Sequence, residues 1–393
     1  MTSGIYKIAR GSRLLGLIAI DSVIGGAARG GLRIVPNPSD DEIRAAARAM
    51  TLKFGLLGLP QGGAKGAVMG DGDAGMAERR RLLGEFARAA EPLLRDRRFV
   101  PDADLSTSAA DIRWMMETSP VKVRGREWRD NRSGEHTARS CMVCAEVTLE
   151  RSGASLEGSR VAIEGFGKVG SALARLMARR GATVVAVSTS RGALHSEEGL
   201  DVERLADRAA GLGSGFVEDE PGVIDRAALL ELDVDLLCPC AAYNSIHIGN
   251  VDRVAARAIC AGANNPVSPE AERILLDRGV LYPPDFLSNC GGVLGGTLEF
   301  AGAPASRVGD LVEGALRVRI SELLARAEAV GTGLRQVAEE DALARHARMR
   351  RRAEHPHIYD RLRSLGLAAY RRRLIPKRPV SIYVSRSFVR WMA

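Results

Sequence analysis

The segment between residues 160 and 188 constrains the fold more than any other part of the chain. A short apolar run at 161–163 leads into Gly-Phe-Gly-Lys-Val-Gly at 165–170, and an amphipathic stretch and a second apolar run, 183–187, follow. This order predicts a strand, a glycine turn, a helix and a parallel strand. Further apolar runs at 234–237, 257–260 and 280–282 extend the pattern. We therefore predict an α/β fold with a doubly wound parallel sheet of Rossmann type.

The glycine turn of this unit predicts a dinucleotide site. In G-x-G-x-x-G the first glycine allows the tight turn, the second lets the pyrophosphate approach the backbone, and the third lets the helix pack on the strand. The helix N-terminus adds free N–H groups and a partial positive charge. The alternative is a purely structural glycine turn. The candidate cofactor-binding residues are Gly165, Phe166, Gly167, Lys168, Val169 and Gly170.

The end of the second strand bears on the choice between NAD and NADP. An NAD-selective site usually places Asp or Glu there, on the ribose hydroxyls. This chain has Thr189 at that point, with Arg191 two residues later. Because the carboxylate is missing and a cation is nearby, the site would accept a 2′-phosphate. NADP or dual use is therefore at least as well supported as NAD. The alternative is that Arg191 is a solvated loop residue.

Composition excludes several classes of protein. The chain has 393 residues, 46% of them hydrophobic, which is enough to bury a core and excludes disorder throughout. No apolar run approaches the roughly 20 residues of a membrane-spanning helix, so we expect a cytoplasmic protein with no membrane partner. Six cysteines do not make a disulfide framework. Their spacing favours small buried residues over metal ligands, and we predict no metal site.

The positive charge is concentrated at the C-terminal end. Residues 345–393 hold 14 Arg and Lys against two acids, a net of +12, so the other 344 residues sum to 8 − 12 = −4. Basic runs interleaved with aromatic residues could bind nucleic acid or anionic lipid. A solvated basic extension is the favoured interpretation, and a nucleic-acid partner is the less favoured one.

Lysine is scarce in this chain, which gives each one more weight. Only six of the 56 basic residues are lysines. Lys53 falls on a helix predicted to start at Ser39, and Lys65 falls in the Gly-rich segment 59–66, which we predict to be a loop. One lysine could hold a carboxylate, and the other, desolvated near the first cation, could act as a general base. Asp104 is a candidate proton shuttle.

Several blocks together carry a family resemblance. Residues 50–53, Met-Thr-Leu-Lys, followed by 59–66, Leu-Pro-Gln-Gly-Gly-Ala-Lys-Gly, resemble the signature of the glutamate/leucine/phenylalanine/valine dehydrogenase family. The resemblance includes Gly30 and Gly31 with the two residues after them, and it continues through the blocks at 104–107, 165–170, 262–266 and 284–293. The blocks occur in the family's order and span about residues 14–352.

The resemblance implies reversible oxidative deamination of an L-amino acid to a 2-oxo acid and ammonium, with hydride transfer to NAD or NADP. It implies that Lys53 and the Gly30-Gly31 pair bind the substrate, that Lys65 activates water and that Asp104 exchanges protons at the amino group. It further implies that Asn264 contacts the nicotinamide ribose and that Asn289 faces the substrate or the cofactor amide. It also implies a homo-oligomer, a hexamer or an octamer.

Substrate specificity stays open at this point. Arg29 stands just before Gly30, where glutamate enzymes of the family carry a lysine for the side-chain carboxylate. A cation there slightly favours glutamate, although the guanidinium could turn to solvent. The alternatives are a leucine/valine/phenylalanine-type dehydrogenase, or a catalytically degenerate nucleotide-binding regulatory protein that uses its basic extension. Thr189 stands where the family commonly has Asp, and this departure supports the catalytically degenerate alternative.

The expected domain organisation has four parts. Residues 1–138 would form the substrate-binding and catalytic α/β domain, and 139–295 the NAD(P)-binding Rossmann domain. Residues 296–352 would form C-terminal helices that return to the substrate domain, and 353–393 the basic extension.

Overall fold

A computed structural model describes residues 3–119, 132–377 and 379–380 of the chain. These residues divide into two compact units. The first contains residues 3–119, 298–303 and the described residues from 339 onward, and the second contains 132–297 and 304–338. Each unit has its own sheet, so the fold is mixed α/β, as the sequence predicts. Within the described ranges, no helix is long and apolar enough to cross a membrane.

The first unit is built on a mixed sheet. Among the described residues its strand order is β1-β2-β4-β3-β5; β2 runs antiparallel to β1 and β4, whereas β3 runs parallel to β4 and β5. The strands are β1 (Gly4–Arg10), β2 (Arg13–Ile20), β3 (Ala28–Val35), β4 (Gly62–Met69) and β5 (Val100–Ala103). The helices in this part of the chain are α1 (Asp40–Leu56), α2 (Met76–Ala89), α3 (Glu91–Arg95) and α4 (Ala109–Thr118).

Helix α1 begins where the sequence predicts. The Oγ atom of Ser39 accepts a hydrogen bond from the backbone N–H of Glu42 at 3.2 Å, an N-cap that stabilises a helix by about 1 kcal/mol. Its apolar face buries Ile43 and Ala47 against β2 and β4. Lys53 lies in the last turn and is also buried. The cap and the apolar face therefore fix the position of this lysine.

Most of the Gly-rich segment is a strand, and the prediction of a loop at 59–66 was wrong for residues 62–66. Residues 62–66 lie in β4, between β2 and β3. A Cβ atom on Gly62 would lie 2.3 Å from the carbonyl oxygen of Ser22, and one on Gly63 would lie 2.3 Å from the backbone nitrogen of Thr51. The glycines are there because neighbouring backbone approaches too closely for side chains. Lys65 is therefore held by a sheet.

The second unit contains the predicted Rossmann-type sheet. Its described strands are ordered β11-β10-β6-β7-β8-β9; β11, β10, β6 and β7 are parallel, and β8 and β9 add antiparallel strands at one edge. They are β6 (Arg160–Glu164), β7 (Thr183–Ser188), β8 (Ala193–His195), β9 (Val223–Ile224), β10 (Leu236–Pro239) and β11 (Ala258–Ile259). The strand predicted at 280–282 is reduced to a single parallel bridge between Leu281 and Ala258.

Helices complete the second unit and the C-terminal part of the chain. Those associated with the second sheet are α5 (Ser133–Arg151), α6 (Gly170–Arg179), α7 (Val202–Leu212), α8 (Arg226–Leu230), α9 (Pro269–Asp277) and α10 (Asp285–Ser288). The remaining described helices are α11 (Gly291–Phe300), α12 (Ala305–Val330), α13 (Leu334–Glu354) and α14 (Ile358–Arg371).

The cysteines of the second unit lie in its interior. Cys141, Cys144, Cys238, Cys260 and Cys290 are buried, and Cys240 is half-buried. The Sγ atoms of Cys141 and Cys260 are 3.7 Å apart. Burial raises the pKa of the Cys238 thiol to about 11, so this thiol stays protonated at neutral pH.

Part of the predicted basic extension is folded rather than solvated. Tyr370, at the end of α14, is buried, and its hydroxyl donates a hydrogen bond to the carbonyl oxygen of Phe300 at 2.6 Å. The two rings meet edge to face, with centroids 5.5 Å apart. The expectation of a free extension is thus corrected for α14, because an aromatic anchor packs it onto Phe300. Within the predicted extension, residue 378 and residues 381–393 lie outside the described residues.

Candidate functional site

The strongest candidate site in the first unit is a buried network of charges on the side of the sheet that faces α1. The Nζ atom of Lys65, on β4, lies 2.8 Å from Oδ2 of Asp104, just after β5. The Nε atom of Arg33, on β3, donates to the same oxygen at 2.8 Å. A second guanidinium nitrogen of Arg33 donates to Glu42 at 2.6 Å. Asp104 is therefore held between two cations.

Local hydrogen bonds fix the loop that carries Asp104. The backbone N–H of Asp104 donates to Oγ1 of Thr107 at 2.9 Å, and that hydroxyl donates to the carbonyl oxygen of Leu32 at 2.8 Å. Ser106, between them, has a φ of +60°, a left-handed conformation that non-glycine residues seldom adopt. The loop thus holds Asp104 tightly against β3.

The network shifts the pKa values of both members of the pair. Burial lowers the pKa of Lys65 to about 8; the charge of Asp104 opposes this effect, whereas the charges of Arg33 and Lys53 add to it. Burial alone would raise the pKa of Asp104, but the cations Lys65 and Arg33, with their hydrogen bonds, hold it well below its usual range. Lys65 can therefore lose its proton near neutral pH while Asp104 stays ionised.

Gly31 lies in close contact with this pair. A Cβ atom there would lie 2.7 Å from Cβ of Asp104 and 3.2 Å from Nζ of Lys65, so any side chain would displace the network. Gly30, its neighbour, cannot carry a side chain either, because its Cβ atom would lie 1.6 Å from the carbonyl oxygen of Ala64. Lys53 contributes a second amine, near enough to lower the pKa of Lys65. The predicted residues Lys53, Lys65, Asp104 and Gly31 are thus brought together.

Arg29 is held by an acidic residue. One of its guanidinium nitrogens lies 2.9 Å from Oδ1 and 3.0 Å from Oδ2 of Asp102, on β5. From the sequence, the guanidinium of Arg29 was expected either to meet a substrate carboxylate or to turn outward to solvent. The structure shows a third arrangement, an ion pair along the same face of β3 and β5.

Sequence reasoning assigned no role to Arg33 and Asp102. A signal was available for Arg33, because it stands two residues after Gly31, and residues so spaced face the same side wherever both belong to one strand. Asp102 also stands two residues before Asp104. The pairing of each acid with one particular arginine depends on strand order, which the sequence pattern does not supply.

The glycine turn of the second unit has the geometry of a phosphate-binding loop. Gly165 has a φ of +92°, and its N–H donates to Oγ of Ser188 at 2.9 Å. A Cβ atom on Gly170 would lie 1.8 Å from the carbonyl oxygen of Gly165, so the start of α6 packs directly on the turn. At Gly167, no atom lies within 4 Å of the position that a Cβ would take, so this side of the turn is open. The turn can therefore admit a pyrophosphate at the N-terminus of α6.

The flanking residues of the turn are structural or exposed. Phe166 is buried and packs against Phe216, with ring centroids 5.4 Å apart. Val169 is the residue immediately before α6, and Lys168 packs beside Gly134 at the start of α5. Among the predicted cofactor residues, the glycines thus form the cradle and Phe166 supports it.

The end of β7 places Thr189 and Arg191 in one tight turn. The Oγ1 atom of Thr189 donates to the carbonyl oxygen of Ser214 at 2.9 Å and accepts the N–H of Arg191 at 3.1 Å. The side chain of Arg191 is 64% exposed and lies 3.9 Å from Glu218. At positions 189 and 191 this turn therefore presents a hydroxyl and an exposed guanidinium.

Two asparagines form a polar cluster near α10. The side-chain nitrogen of Asn289 donates to the carbonyl oxygen of Ala263 at 2.7 Å and lies 3.3 Å from Oδ1 of Asn264. The Oδ1 atom of Asn289 is buried and has no hydrogen-bond partner among the described residues. An unpaired buried acceptor is costly, and an amide N–H of a ligand would satisfy it. The second unit therefore fits a nicotinamide dinucleotide.

Comparisons with known proteins agree with both units. The model of the Glutamate/Leucine/Phenylalanine/Valine dehydrogenase family matches residues 131–339, and that of the Glu/Leu/Phe/Val dehydrogenase dimerisation domain matches residues 6–120. The chain is 37% identical over 289 residues to a glutamate dehydrogenase of Thermotoga maritima, covering 69% of this chain and 68% of that protein. It is 34% identical over 286 residues to an NAD-specific glutamate dehydrogenase of Staphylococcus aureus, covering 68% and 67%.

A solved structure supports the same relationship. The hetero-hexameric glutamate dehydrogenase of Thermus thermophilus, in a leucine-bound form, superposes with a TM-score of 0.71 at 27% identity. The match covers 89% of this chain and 88% of that chain.

Proposed function

Because the chain belongs to the glutamate/leucine/phenylalanine/valine dehydrogenase family, we propose that it catalyses the reversible, NAD(P)-dependent oxidative deamination of an L-amino acid to a 2-oxo acid and ammonium. The observation that carries the proposal is the buried contact of Lys65 with Asp104 beside Gly31. A lysine whose pKa lies near 8 can act as a base under ordinary conditions. A surface lysine could not do so, because its usual pKa is about 10.4.

Three charged residues of the first unit have roles in this reaction. Lys53 holds the α-carboxylate as a point charge. Neutral Lys65 takes a proton from the water that attacks the carbon of the substrate imine, and Asp104 takes up and returns protons at the nitrogen. When Lys65 is neutral, Asp104 loses one of the two cations that lower its pKa and keeps Arg33, so its affinity for a proton rises. The two groups can therefore alternate as base and acid.

The second unit would hold the nicotinamide cofactor. Gly165, Gly167 and Gly170 would receive the pyrophosphate, Asn264 the nicotinamide ribose, and Asn289 would pair with an amide. The bound dinucleotide supplies the hydride acceptor. We propose that Arg191 allows use of NADP as well as NAD, since its exposed guanidinium can meet a 2′-phosphate and no acid stands at Thr189.

The identity of the side chain of the substrate is a separate proposal. The relatives from Thermotoga and Staphylococcus are named glutamate dehydrogenases, which supports glutamate. The sequence interpretation rested its preference for glutamate on a cation at position 29, and that cation is paired with Asp102. The pairing favours a substrate with an uncharged side chain.

We also propose that the protein is a cytoplasmic homo-oligomer. The match to a dimerisation domain over residues 6–120 supports an oligomer, as does the hetero-hexameric assembly of the Thermus enzyme. Light scattering of the purified protein would give its subunit number, and a monomeric mass would contradict the proposal.

The decisive experiment is a spectrophotometric screen. The purified chain is incubated with NAD⁺ or NADP⁺ and each L-amino acid at alkaline pH, and reduced cofactor is followed by absorbance. We expect reduction with at least one amino acid. If the protein is folded and binds cofactor but reduces no cofactor with any amino acid, the result would favour the competing proposal, a degenerate nucleotide-binding protein. The retained Lys53, Lys65 and Asp104 argue against that alternative.

A further inference from the structure

Arg29, Gly31 and Arg33 form a row along one face of β3. Alternate residues of a strand face the same side, and the residues at the even positions Ala28, Leu32 and Ile34 lie in the apolar core on the other side. Successive members of the row are about 7 Å apart. Gly31 adjoins Lys65 and Asp104. An amino acid reacting at that pair, as in the proposed function, would therefore extend its side chain towards one of the two arginines.

Each arginine of this row already has an acidic partner. Arg33 donates to Asp104 at 2.8 Å and to Glu42 at 2.6 Å. Arg29 places one nitrogen within 3.0 Å of both carboxylate oxygens of Asp102, which lies opposite Gly31 in the register of β3 and β5. Lys65 is paired with Asp104. The other cation of the network, Lys53, is assigned to the α-carboxylate in the proposed function.

We propose that Asp102 is a specificity-determining residue: it acts as an internal counter-ion that occupies Arg29, so that the enzyme takes L-amino acids with uncharged side chains and discriminates against glutamate and aspartate. This inference rests on the proposed function, because it concerns the side chain of the substrate at that same site.

Charge pairing supplies the physical reason. A side-chain carboxylate could bind Arg29 only by displacing Asp102, and the displaced acid would remain beside the incoming one. Two carboxylates that compete for one guanidinium repel each other, which is a common way of rejecting a wrong ligand. An uncharged side chain leaves the Arg29–Asp102 pair intact and pays no such penalty. The pair is half-exposed, so discrimination comes from competition rather than from burial of a charge.

The first measurement uses the unaltered protein. Values of kcat/KM are determined for L-glutamate, L-aspartate, L-leucine, L-valine and L-phenylalanine with saturating cofactor. We expect the highest value for an uncharged amino acid, at least tenfold above L-glutamate. A highest value for L-glutamate or L-aspartate would overturn the inference and leave the proposed function in place. No turnover with any amino acid would overturn both.

The second measurement removes the charge of the counter-ion. In Asp102→Asn, Arg29 keeps its cation but loses its anionic partner, so the ratio of kcat/KM for L-glutamate to that for L-leucine should rise at least tenfold, mainly through a lower KM for L-glutamate. The double variant Arg29→Gln with Asp102→Asn lacks both charges and should lose this gain. If the role of Asp102 were merely structural, the substitution would lower kcat/KM for both substrates alike.

A matched control removes a comparable ion pair elsewhere. Arg113 donates to Glu117 at 2.7 Å on the exposed surface of α4. The Glu117→Gln variant should leave the substrate ratio unchanged. A folded Asp102→Asn protein with an unchanged ratio would overturn the inference, and if that variant does not fold, the substrate profile of the unaltered protein decides by itself.

Discussion

The Nζ atom of Lys65 and the Oδ2 atom of Asp104 lie 2.8 Å apart, and Arg33 donates to the same oxygen. One carboxylate thus serves two cations, so the proton affinity of Lys65 depends on Asp104 and that of Asp104 on Lys65. This mutual dependence makes pH the most direct probe of the site.

We expect kcat/KM for oxidative deamination to rise with pH through about 8. Lys65 accepts a proton only when neutral, and its pKa is lowered by burial to about 8, so the active fraction grows as pH increases through that value. In Asp104→Asn the anion that opposes this lowering is lost, so the inflection should move to lower pH. The value of kcat/KM should also be much lower at every pH. A pH–rate series between 6 and 10 measures both, and an inflection that moves upward in Asp104→Asn would contradict the assignment.

Replacing Lys65 by methionine should lower kcat by about 100-fold or more, because a general base usually contributes at least that much. Cofactor binding should be retained, because the dinucleotide is assigned to glycines of the second unit. Stopped-flow kinetics and fluorescence titration with the reduced cofactor separate the two effects. Lys7→Met, at an exposed position of β1, is the matched control and should keep full activity. A Lys65→Met enzyme that retained its kcat would refute the role of this amine.

Gly31→Ala should reduce kcat/KM by about 100-fold or more, since misplacing catalytic groups by about 1 Å has effects of that size. The added methyl would lie 2.7 Å from Cβ of Asp104 and 3.2 Å from Nζ of Lys65. Gly75→Ala is the control, because nothing lies within 4 Å of its Cβ position. Steady-state kinetics together with circular dichroism would show loss of activity in a folded protein. Equal activities of the two variants would contradict the close approach at Gly31.

Arg191→Ala should lower kcat/KM with NADP at least tenfold, about the contribution of one charge-assisted contact, while changing the value with NAD little. The guanidinium is largely exposed, so its removal disturbs no core. Conversely, Thr189→Asp should favour NAD, because the new carboxylate would repel a 2′-phosphate and accept hydrogen bonds from ribose hydroxyls. Kinetics with each cofactor at fixed amino acid provide the measurement. An unchanged NADP/NAD ratio in both variants would rule out this turn as the selector.

Tyr370→Ala should lower the free energy of unfolding by about 3 kcal/mol, and Tyr370→Phe by about 1 kcal/mol, the usual values for a buried aromatic side chain and a single hydrogen bond. Both variants lack the hydrogen bond to Phe300, and the alanine variant also lacks the edge-to-face contact of the two rings. Leu374→Ala, at a side chain that is exposed, should change stability little. Urea unfolding monitored by fluorescence gives the three values, and three equal values would mean that α14 is not anchored there.

Patterns confined to short stretches of sequence predicted much of the second unit. The glycine turn at 165–170 is preceded by β6 and followed by α6, as the motif requires. The N-cap of Ser39 was also predictable, because capping depends on residues within one helical turn.

Features set by contacts between distant segments were not predictable in the same way. The glycines of β4 indicate a loop by their propensity, but they are selected by the close approach of Ser22 and Thr51 from other elements. The ion pair of Arg29 with Asp102 joins residues 73 positions apart. The packing of Tyr370 on Phe300 joins residues 70 positions apart. No local period or motif encodes such pairs.

The location of Lys65 in the interior of a sheet has a consequence for how the site works. Its strand β4 is hydrogen-bonded on both sides, to β2 and β3, so its backbone cannot shift without breaking two ladders. The work of aligning this amine with Asp104 is therefore done once, when the chain folds, and is not repeated in every turnover. The substrate must adjust its position to a base that stays still.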